Sequence, residues 1–289
     1  MTFARRIINL QFQLGQGDFG TAGTDTVTLE GLRCSANIVR AGLGFSRADI
    51  QVWGMSLDLM NKLTVTQKFF FENTRYNQVI VSAGDEDGGV AMCFGGTVRE
   101  AWADGRQAPD IMFHVSADSG QFALSKSVPP VSFKGSVDAA LVLSGIAQQM
   151  GYQFENGGIT GTLSNPYKPG TPRAQLESVC RDIDCLLDVD EATQTVAVWP
   201  KRGSRGGEVI RIAPDSGLVG YPSFTQSGIQ FTTLYNPSLA FGRPISMESQ
   251  FTAANGQWNV SALQHRLDAN VPGGQWFTDV ECNYLDMTA

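Results

Sequence analysis

The stretch Val128-Pro129-Pro130, with the run Ser136–Met150 behind it, decides how this chain is read. Two prolines stop a pattern of alternating strands, and a helix-period pattern begins. Ser136 offers a cap, Asp138 complements the positive end of the helix, and Gly151 can close it. Tyr152-Gln153-Phe154 then reads as a short strand. A second helix starts at Thr171-Pro172, a cap followed by proline in the first turn. Leu176, Val179, Cys180 and Ile183 form its apolar stripe. Cys185–Val189 and Thr195–Trp199 read as a hairpin around Asp190-Glu191. Together these make a small α+β module.

Upstream of the prolines the sequence reads as strands and turns. Ile8, Leu10, Phe12 and Leu14 fall on one face of a first strand. Further candidates are Thr26–Leu29, Leu32–Arg40, Asp49–Trp53, Tyr76–Ser82, Val90–Phe94, Thr97–Trp102 and Ile111–Ser116. Ser56–Leu63 predicts one short helix capped by Ser56. The acidic stretch Gly84–Gly89 predicts a hairpin tip. Regularly spaced short strands of this kind suggest a barrel or sandwich. Downstream, Pro200–Gly207 reads as a linker, and strand patterns return at Val209–Ile212, Ile229–Leu234, Ile245–Phe251, Trp258–Leu267 and Trp276–Tyr284. The expected division is a first β domain at 1–128, an α+β insert at 129–207 and a second β region at 208–289.

The totals narrow the function. Of 289 residues, 42% are apolar and 17% charged, a globular balance rather than a disordered one. A net charge of -7 argues against a dedicated nucleic-acid binder and against docking on an anionic membrane. Five scattered cysteines imply no disulfide framework, so folding in a reducing cytoplasm is expected. Ile7–Leu14 alternates with Asn9, Gln11 and Gln13, unlike the apolar core of a signal peptide. No apolar run reaches membrane-spanning length, and membrane insertion is not expected.

Motifs that would carry chemistry fail on inspection. Gly15–Gly20 matches a dinucleotide fingerprint, but a strand pattern follows where a helix N-terminus is required. Gly44-Phe45-Ser46-Arg47-Ala48 is a loose copy of a nucleophile elbow that lacks its last glycine. Its only candidate bases, His114 and His265, sit in alternating segments as ordinary strand residues. Cys180 and Cys185 lack a zinc spacing, and Asp85–Gly88 lacks the later ligands of a calcium loop. The basic group Lys201, Arg202, Arg205 and Arg211 could meet DNA or an acidic neighbour, but such a run more often reads as a solvated linker. No catalytic, cofactor-binding or metal residue is therefore assigned, and no cofactor is expected.

Two stretches carry a family resemblance. One is Gly54–Leu63, followed by Glu100–Asp104 and Ala108-Pro109-Asp110. The other is Gly217-Leu218-Val219-Gly220-Tyr221-Pro222, then Gly228-Ile229, then Leu234-Tyr235-Asn236-Pro237-Ser238-Leu239, then Gly242. In this order they resemble the signature of central baseplate hub proteins of contractile-tailed bacteriophages, relatives of the hub part of type VI secretion spike proteins. Phe133-Lys134-Gly135 and Met150–Phe154 around the first insert helix are similar too.

The resemblance implies a structural subunit, not an enzyme. It implies two barrel-like β domains related to the tail-tube fold, and a homotrimer forming a pseudo-sixfold ring. That ring would join the sixfold tube to the threefold central spike and leave a channel through which DNA passes without specific binding. The implied partners are a tube or tube-initiator protein, a separate spike protein (the chain ends soon after its second β region) and other baseplate wedge proteins. The implied place is the virion tail baseplate, after synthesis in the host cytoplasm. Two readings compete: a tail-associated cell-wall or glycan hydrolase, which needs a convergent polar pocket, and another tube or baseplate protein of the same fold, which needs only one barrel.

Overall fold

A computed structural model describes residues 4–20, 23–41, 46–66, 76–120 and 128–285. The first part of the chain supplies β1 (Arg6–Gln13), β2 (Thr26–Leu29), β3 (Arg33–Ala41), β4 (Arg47–Trp53), helix α1 (Leu57–Leu63), β5 (Gln78–Asp85), β6 (Gly89–Asp104) and β7 (Met112–Asp118). The middle supplies β8 (Val131–Ser132), β9 (Ser136–Asp138), α2 (Ala139–Met150), β10 (Gln153–Asn156), β11 (Thr162–Ser164), β12 (Tyr167–Lys168), α3 (Pro172–Asp182), β13 (Cys185–Asp190) and β14 (Thr195–Pro200). The last part supplies β15 (Ile210–Ile212), β16 (Leu218–Phe224), β17 (Gly228–Leu234), β18 (Pro244–Met247), β19 (Gly256–Ala269) and β20 (Trp276–Tyr284). The fold is mainly β with a few helices.

Period-two alternation explains the strands. Ile8, Leu10 and Phe12 of β1 are buried while Gln11 and Gln13 are exposed. Each such apolar side chain contributes about 1.5–3 kcal/mol on burial. The two β regions do not form separate sheets. β19 pairs with β3 from Ala262–Ala41 to Ala269–Cys34, so both join one 13-stranded sheet. Its order is β16-β17-β20-β19-β3-β4-β7-β6-β5-β1-β2, with β18 on β19 and β15 on β18. Among the described residues no ladder closes this path into a barrel. The sheet nevertheless wraps a core holding Phe12, Ile38, Ile50, Phe94 and Phe113. Arg6 at its far end donates to the Gly274 carbonyl at 2.9 Å, between β19 and β20. A second core, with Ile229, Phe231, Ile245 and Trp258, lies under β16–β20.

The middle segment has its own core. α2 and α3 bury Val142, Leu143, Ile146, Leu176 and Val179 with Val196 and Val198 of a β10-β14-β13 sheet. Thr171 caps α3 with proline in its first turn, and Gly151 closes α2 in the left-handed conformation at φ 82°, both as the sequence predicts. The start of α2 differs from expectation. Ser136–Asp138 pairs with β11 as a strand, so Asp138 becomes the cap, its carboxylate accepting from Ala140 N at 2.8 Å.

Three other sequence readings shift. Val90–Phe94 and Thr97–Trp102 fuse into the single strand β6, because Gly95-Gly96 stays extended where other groups press close. A Cβ on Gly95 would lie 2.9 Å from the backbone of Ala192, and one on Gly96 2.6 Å from the Phe94 ring. The strand expected at Ile245–Phe251 stops at Met247. Leu218–Phe224, not expected as a strand, is the edge strand β16, where Pro222 is tolerated because no neighbour needs its N–H.

A polar sheet face and the buried seam behind it

The ladder fixes which side chains share a face. Residues paired across strands point the same way, so Leu234, Phe277, Arg266, Asn37, Asp49, Ser116 and Glu100 form one rung across β17-β20-β19-β3-β4-β7-β6. Thr232, Asp279, Gln264, Val39, Arg47, Asp118 and Thr97 form another. One uninterrupted face thus spans both β regions. It carries Asp49, Glu100, Asp104, Asp118, Asp268, Asp279 and Glu281 against Arg33, Arg47, Arg99 and Arg266, an excess of three negative charges (7 − 4 = 3); the β6–β7 turn adds one of each sign, Arg106 and Asp110.

The arginines of this face are all paired. Arg47 Nε meets Asp118 at 3.0 Å, Arg266 Nε meets Asp279 at 2.7 Å, and Arg33 meets Asp110 at 3.4 Å while lying over the Trp53 ring. Arg99 is 4.0 Å from Asp118 and donates to Ser116 Oγ at 2.9 Å. At the β16 end a groove of about 520 Å3 lies between Tyr221, Gln230, Glu281 and Val39. Tyr221 stacks there on Phe251, with ring centroids 4.8 Å apart.

Behind the face lies a buried polar seam. Arg40 follows Val39 and so points to the opposite side of β3. Its Nη2 meets Asp190 Oδ1 at 2.9 Å, and its Nε donates to Ser46 Oγ at 2.9 Å. Asp190 ends β13, so the hairpin of the middle segment is driven under the sheet. Glu191 there accepts from Gly120 N, and Ala192 abuts Gly95. Arg205 continues the seam, meeting Asp188 at 3.1 Å and Glu155 at 2.8 Å. Arg243 lies 3.7 Å from Glu155. Burial alone would depress the Arg40 pKa, but Asp188 and Asp190 hold it above the usual value. Burial pushes the Asp188 pKa up, only partly countered by Arg40 and Arg205. Asp190 is also penalised by burial, yet its charge attraction and hydrogen bond to Arg40 bring its pKa below the usual value.

The tempting motifs fall out as follows. Gly15–Gly20 leads from β1 to its antiparallel partner β2 rather than to a helix. Of the elbow-like stretch, Gly44 and Phe45 lie outside the described residues, and Ser46 accepts from Arg40 instead of meeting a histidine. His114 stacks on Trp102 at 4.9 Å. His265 is buried, shares a hydrogen bond with Thr278 Oγ1 at 2.8 Å, and has its pKa lowered to about 3 by burial and then by Arg40. Asp85 accepts from Asp87 N and Gly88 N, tying the hairpin tip to itself. Among the described residues no group of His, Cys, Asp and Glu is placed to hold a metal ion. The solvated-linker reading fails at Arg205, which is buried in the seam. Arg211 is held by Glu248 at 2.7 Å and Asp215 at 2.9 Å, and Lys201 by Asp184 at 3.2 Å. Sequence reasoning missed the seam because its members are separated along the chain. Only the two acids of Asp188-Val189-Asp190, alternating in an otherwise apolar strand, signalled it.

The glycine-rich signature now has a physical account. Gly217 and Gly220 adopt φ of 107° and 71° around the β16 bulge. Asn236 Oδ1 accepts from Ser238 N at 2.9 Å. Gly242, at φ 81°, lets the chain pass over Trp199, since a Cβ would sit 2.5 Å from that ring. Its carbonyl also accepts from Arg205 N at 2.7 Å. Of the signature, Gly242 thus marks where the second β region meets the middle segment, while Gly217, Gly220 and Asn236 shape turns within the second β region itself.

The family resemblance read from the sequence is also found by comparison with known proteins. The family model described as Baseplate hub gp41 matches residues 7–271. No curated protein sequence matches the chain. Among solved structures, a 43 kDa tail protein of prophage MuSo2 from Shewanella oneidensis is similar at TM-score 0.61 and 10% identity, over 97% of this chain and 98% of that one. A tail protein from Neisseria meningitidis reaches 0.60 at 8% identity, over 96% of both. An Escherichia coli component of the type VI secretion system reaches 0.58 at 7%, covering 88% of this chain and 74% of its own; it is described as similar to T4 tail proteins gp27 and gp5. At such identities these likenesses establish a shared fold.

Proposed function

From the premise that the chain belongs to the baseplate hub gp41 family, a family of structural phage tail proteins, we propose that three copies form a ring whose channel is lined by the polar sheet face. In this reading each copy presents two barrel-like β regions, so three copies offer six units to a sixfold tube and three to a central spike. The spike, the tube or its initiator, and the wedge proteins are the partners, and the assembled protein sits in the virion tail after synthesis in the host cytoplasm. Among the described residues no helix is long and apolar enough to cross a membrane.

The observation that carries this reading is the continuity and charge of the face. A channel lining must run unbroken across both β regions, and the β19–β3 ladder gives that continuity. It must also let DNA slide. Affinity for DNA comes largely from cations that replace counterions on phosphates. Arginines already paired with carboxylates gain little by doing so, and the surplus acids repel the backbone over a screening length of about 8 Å at physiological salt. The face supports passage rather than grip.

The test is light scattering of the purified chain, alone and with spike and tube proteins, paired with a DNA-binding titration. A trimer that retains no duplex DNA at physiological salt is expected. A monomer under every combination, or tight DNA retention by the assembled protein, would overturn the reading.

A further inference from the structure

Four acids of the middle segment lie along the seam, and three of them meet an arginine. Asp190 has Arg40, Asp188 has Arg205, and Glu155 has Arg205 and Arg243. Glu191 is the exception. Its carboxylate accepts from Gly120 N, and among the described residues no cation reaches it. Burial raises its pKa; the Gly120 hydrogen bond opposes that rise, and the Asp190 charge adds to it. A partly buried carboxylate without a counter-charge is costly to hold, and a cation supplied from outside would relieve that cost.

Glu191 also borders a cavity. A pocket of about 350 Å3 lies between the sheet and the middle segment, with Ile80 and Gly96 on one side and Met150, Tyr152 and Glu191 on the other. The Tyr152 phenol stands close to the acids: burial first, then the Glu191 and Asp190 charges, push its pKa up. Ile80 and Met150 are half-buried, while Gln149 and Gln194 line the same pocket and are exposed. We propose that this pocket receives the side chain of a lysine presented by a partner protein. The ammonium would meet Glu191, beside the ring of Tyr152, which also attracts a cation. The methylenes of the lysine would lie along Ile80 and Met150, as such stems do on apolar surface. Gln149 and Gln194 would hydrogen-bond the peptide that carries it. One Glu191 oxygen is already held by Gly120 N. That leaves a single free acceptor, which suits a compact ammonium better than a guanidinium fork that pairs with both oxygens. The pocket is complete within one copy, so the inference stands apart from the ring.

The experiment titrates the folded full chain with Nα-acetyl-lysine amide at pH 8 and constant ionic strength, read by saturation-transfer NMR. Saturable transfer to the lysine methylenes is expected. It should weaken severalfold in Glu191→Gln, which keeps an acceptor for Gly120 N, and stay unchanged in Glu208→Gln on the exposed surface. A second measurement needs no added probe. Gln149→Lys sets an ammonium at the rim of the pocket and should raise the thermal midpoint by about 2 °C, with no rise when Glu191→Gln is also present. No saturable binding, equal binding to Glu191→Gln, or tighter binding of Nα-acetyl-arginine amide would overturn the proposal. Entry of n-butylammonium without the acetyl-lysine amide would overturn the partner lysine in favour of a free amine.

Discussion

Arg40 and Arg47 sit on adjacent antiparallel strands and each meets an aspartate at hydrogen-bond distance, yet they do different work. The Arg40 side chain is 9% exposed and its partner Asp190 11%, whereas Arg47 is 50% exposed. The first pair belongs to the seam, the second to the open face. A buried pair is costly to assemble and still costlier to break, because the survivor is left as an unpaired charge out of water. A half-exposed pair exchanges its partner for solvent at little cost. The same residue types thus hold the middle segment under the sheet on one side and set the charge of a surface on the other.

The seam is where a single change should do most damage. Arg205→Ala leaves Asp188 and Glu155 facing each other without their shared cation, and is expected to lose about 3–5 kcal/mol of stability. Chemical denaturation measures it, and a loss no larger than that of Arg47→Ala would erase the contrast between the two regions. The apolar double replacement Arg40→Met with Asp190→Leu should recover much of what Arg40→Met alone removes, since no charge is then stranded.

Acid should find the same region. His265, beside Arg40 and Tyr235, has a folded pKa near 3, against an ordinary 6.5. Below pH 6.5 the unfolded chain takes up a proton that the folded chain refuses. His265 therefore contributes stability that is complete above 6.5 and is lost as pH falls towards 3. The loss is about 1.4 kcal/mol per pH unit for one proton. Asp190, whose folded pKa is lowered, adds to the loss only as pH falls below the ordinary aspartate range. Asp188 runs the other way: its raised pKa favours the fold at low pH and costs stability as pH rises. Lowering the pH from 7 to 4.5 should lower the denaturation midpoint of the native sequence more than that of His265→Gln. Equal slopes would show that His265 is not the group being titrated.

How far the sequence reveals this follows from the range of each interaction. Alternation in Ile8–Leu14 and the Thr171-Pro172 cap are local, and both elements form where expected. Pairing of β19 with β3 joins residues more than two hundred positions apart, and nothing in either strand specifies the other, so one shared sheet was not legible. The signature around Gly217–Gly242 was legible as a resemblance before its reason was visible: Gly242 is needed for the passage over Trp199. Gly95-Gly96 misled for the same cause. It looked like a break between strands because the closeness of Ala192 lies elsewhere in the sequence. Gly95→Ala should accordingly cost about 1–3 kcal/mol through overpacking against that hairpin. A neutral result in thermal denaturation would mean that the hairpin yields.

The smallest expected effect sharpens the comparison most. Arg47→Ala removes a pair from the open face. Asp118 is mostly shielded by its neighbours, so losing Arg47 is not free, but Arg99 remains 4.0 Å away to offset its charge. Stability should therefore fall by less than about 1 kcal/mol, the usual value of an exposed pair. The face would become more acidic by one charge per copy, and DNA retention should stay at background. Reversing two acids of the same face, Asp49→Lys with Glu281→Lys, should also leave stability nearly unchanged, since neither carboxylate is buried. It should nonetheless create DNA binding that weakens steeply with added salt, each new phosphate contact contributing a slope of about −0.9 in log affinity against log salt. If that double variant bound DNA no better than the native sequence once assembled, the face would not line the proposed channel, and the division of labour between seam and face would be structural only.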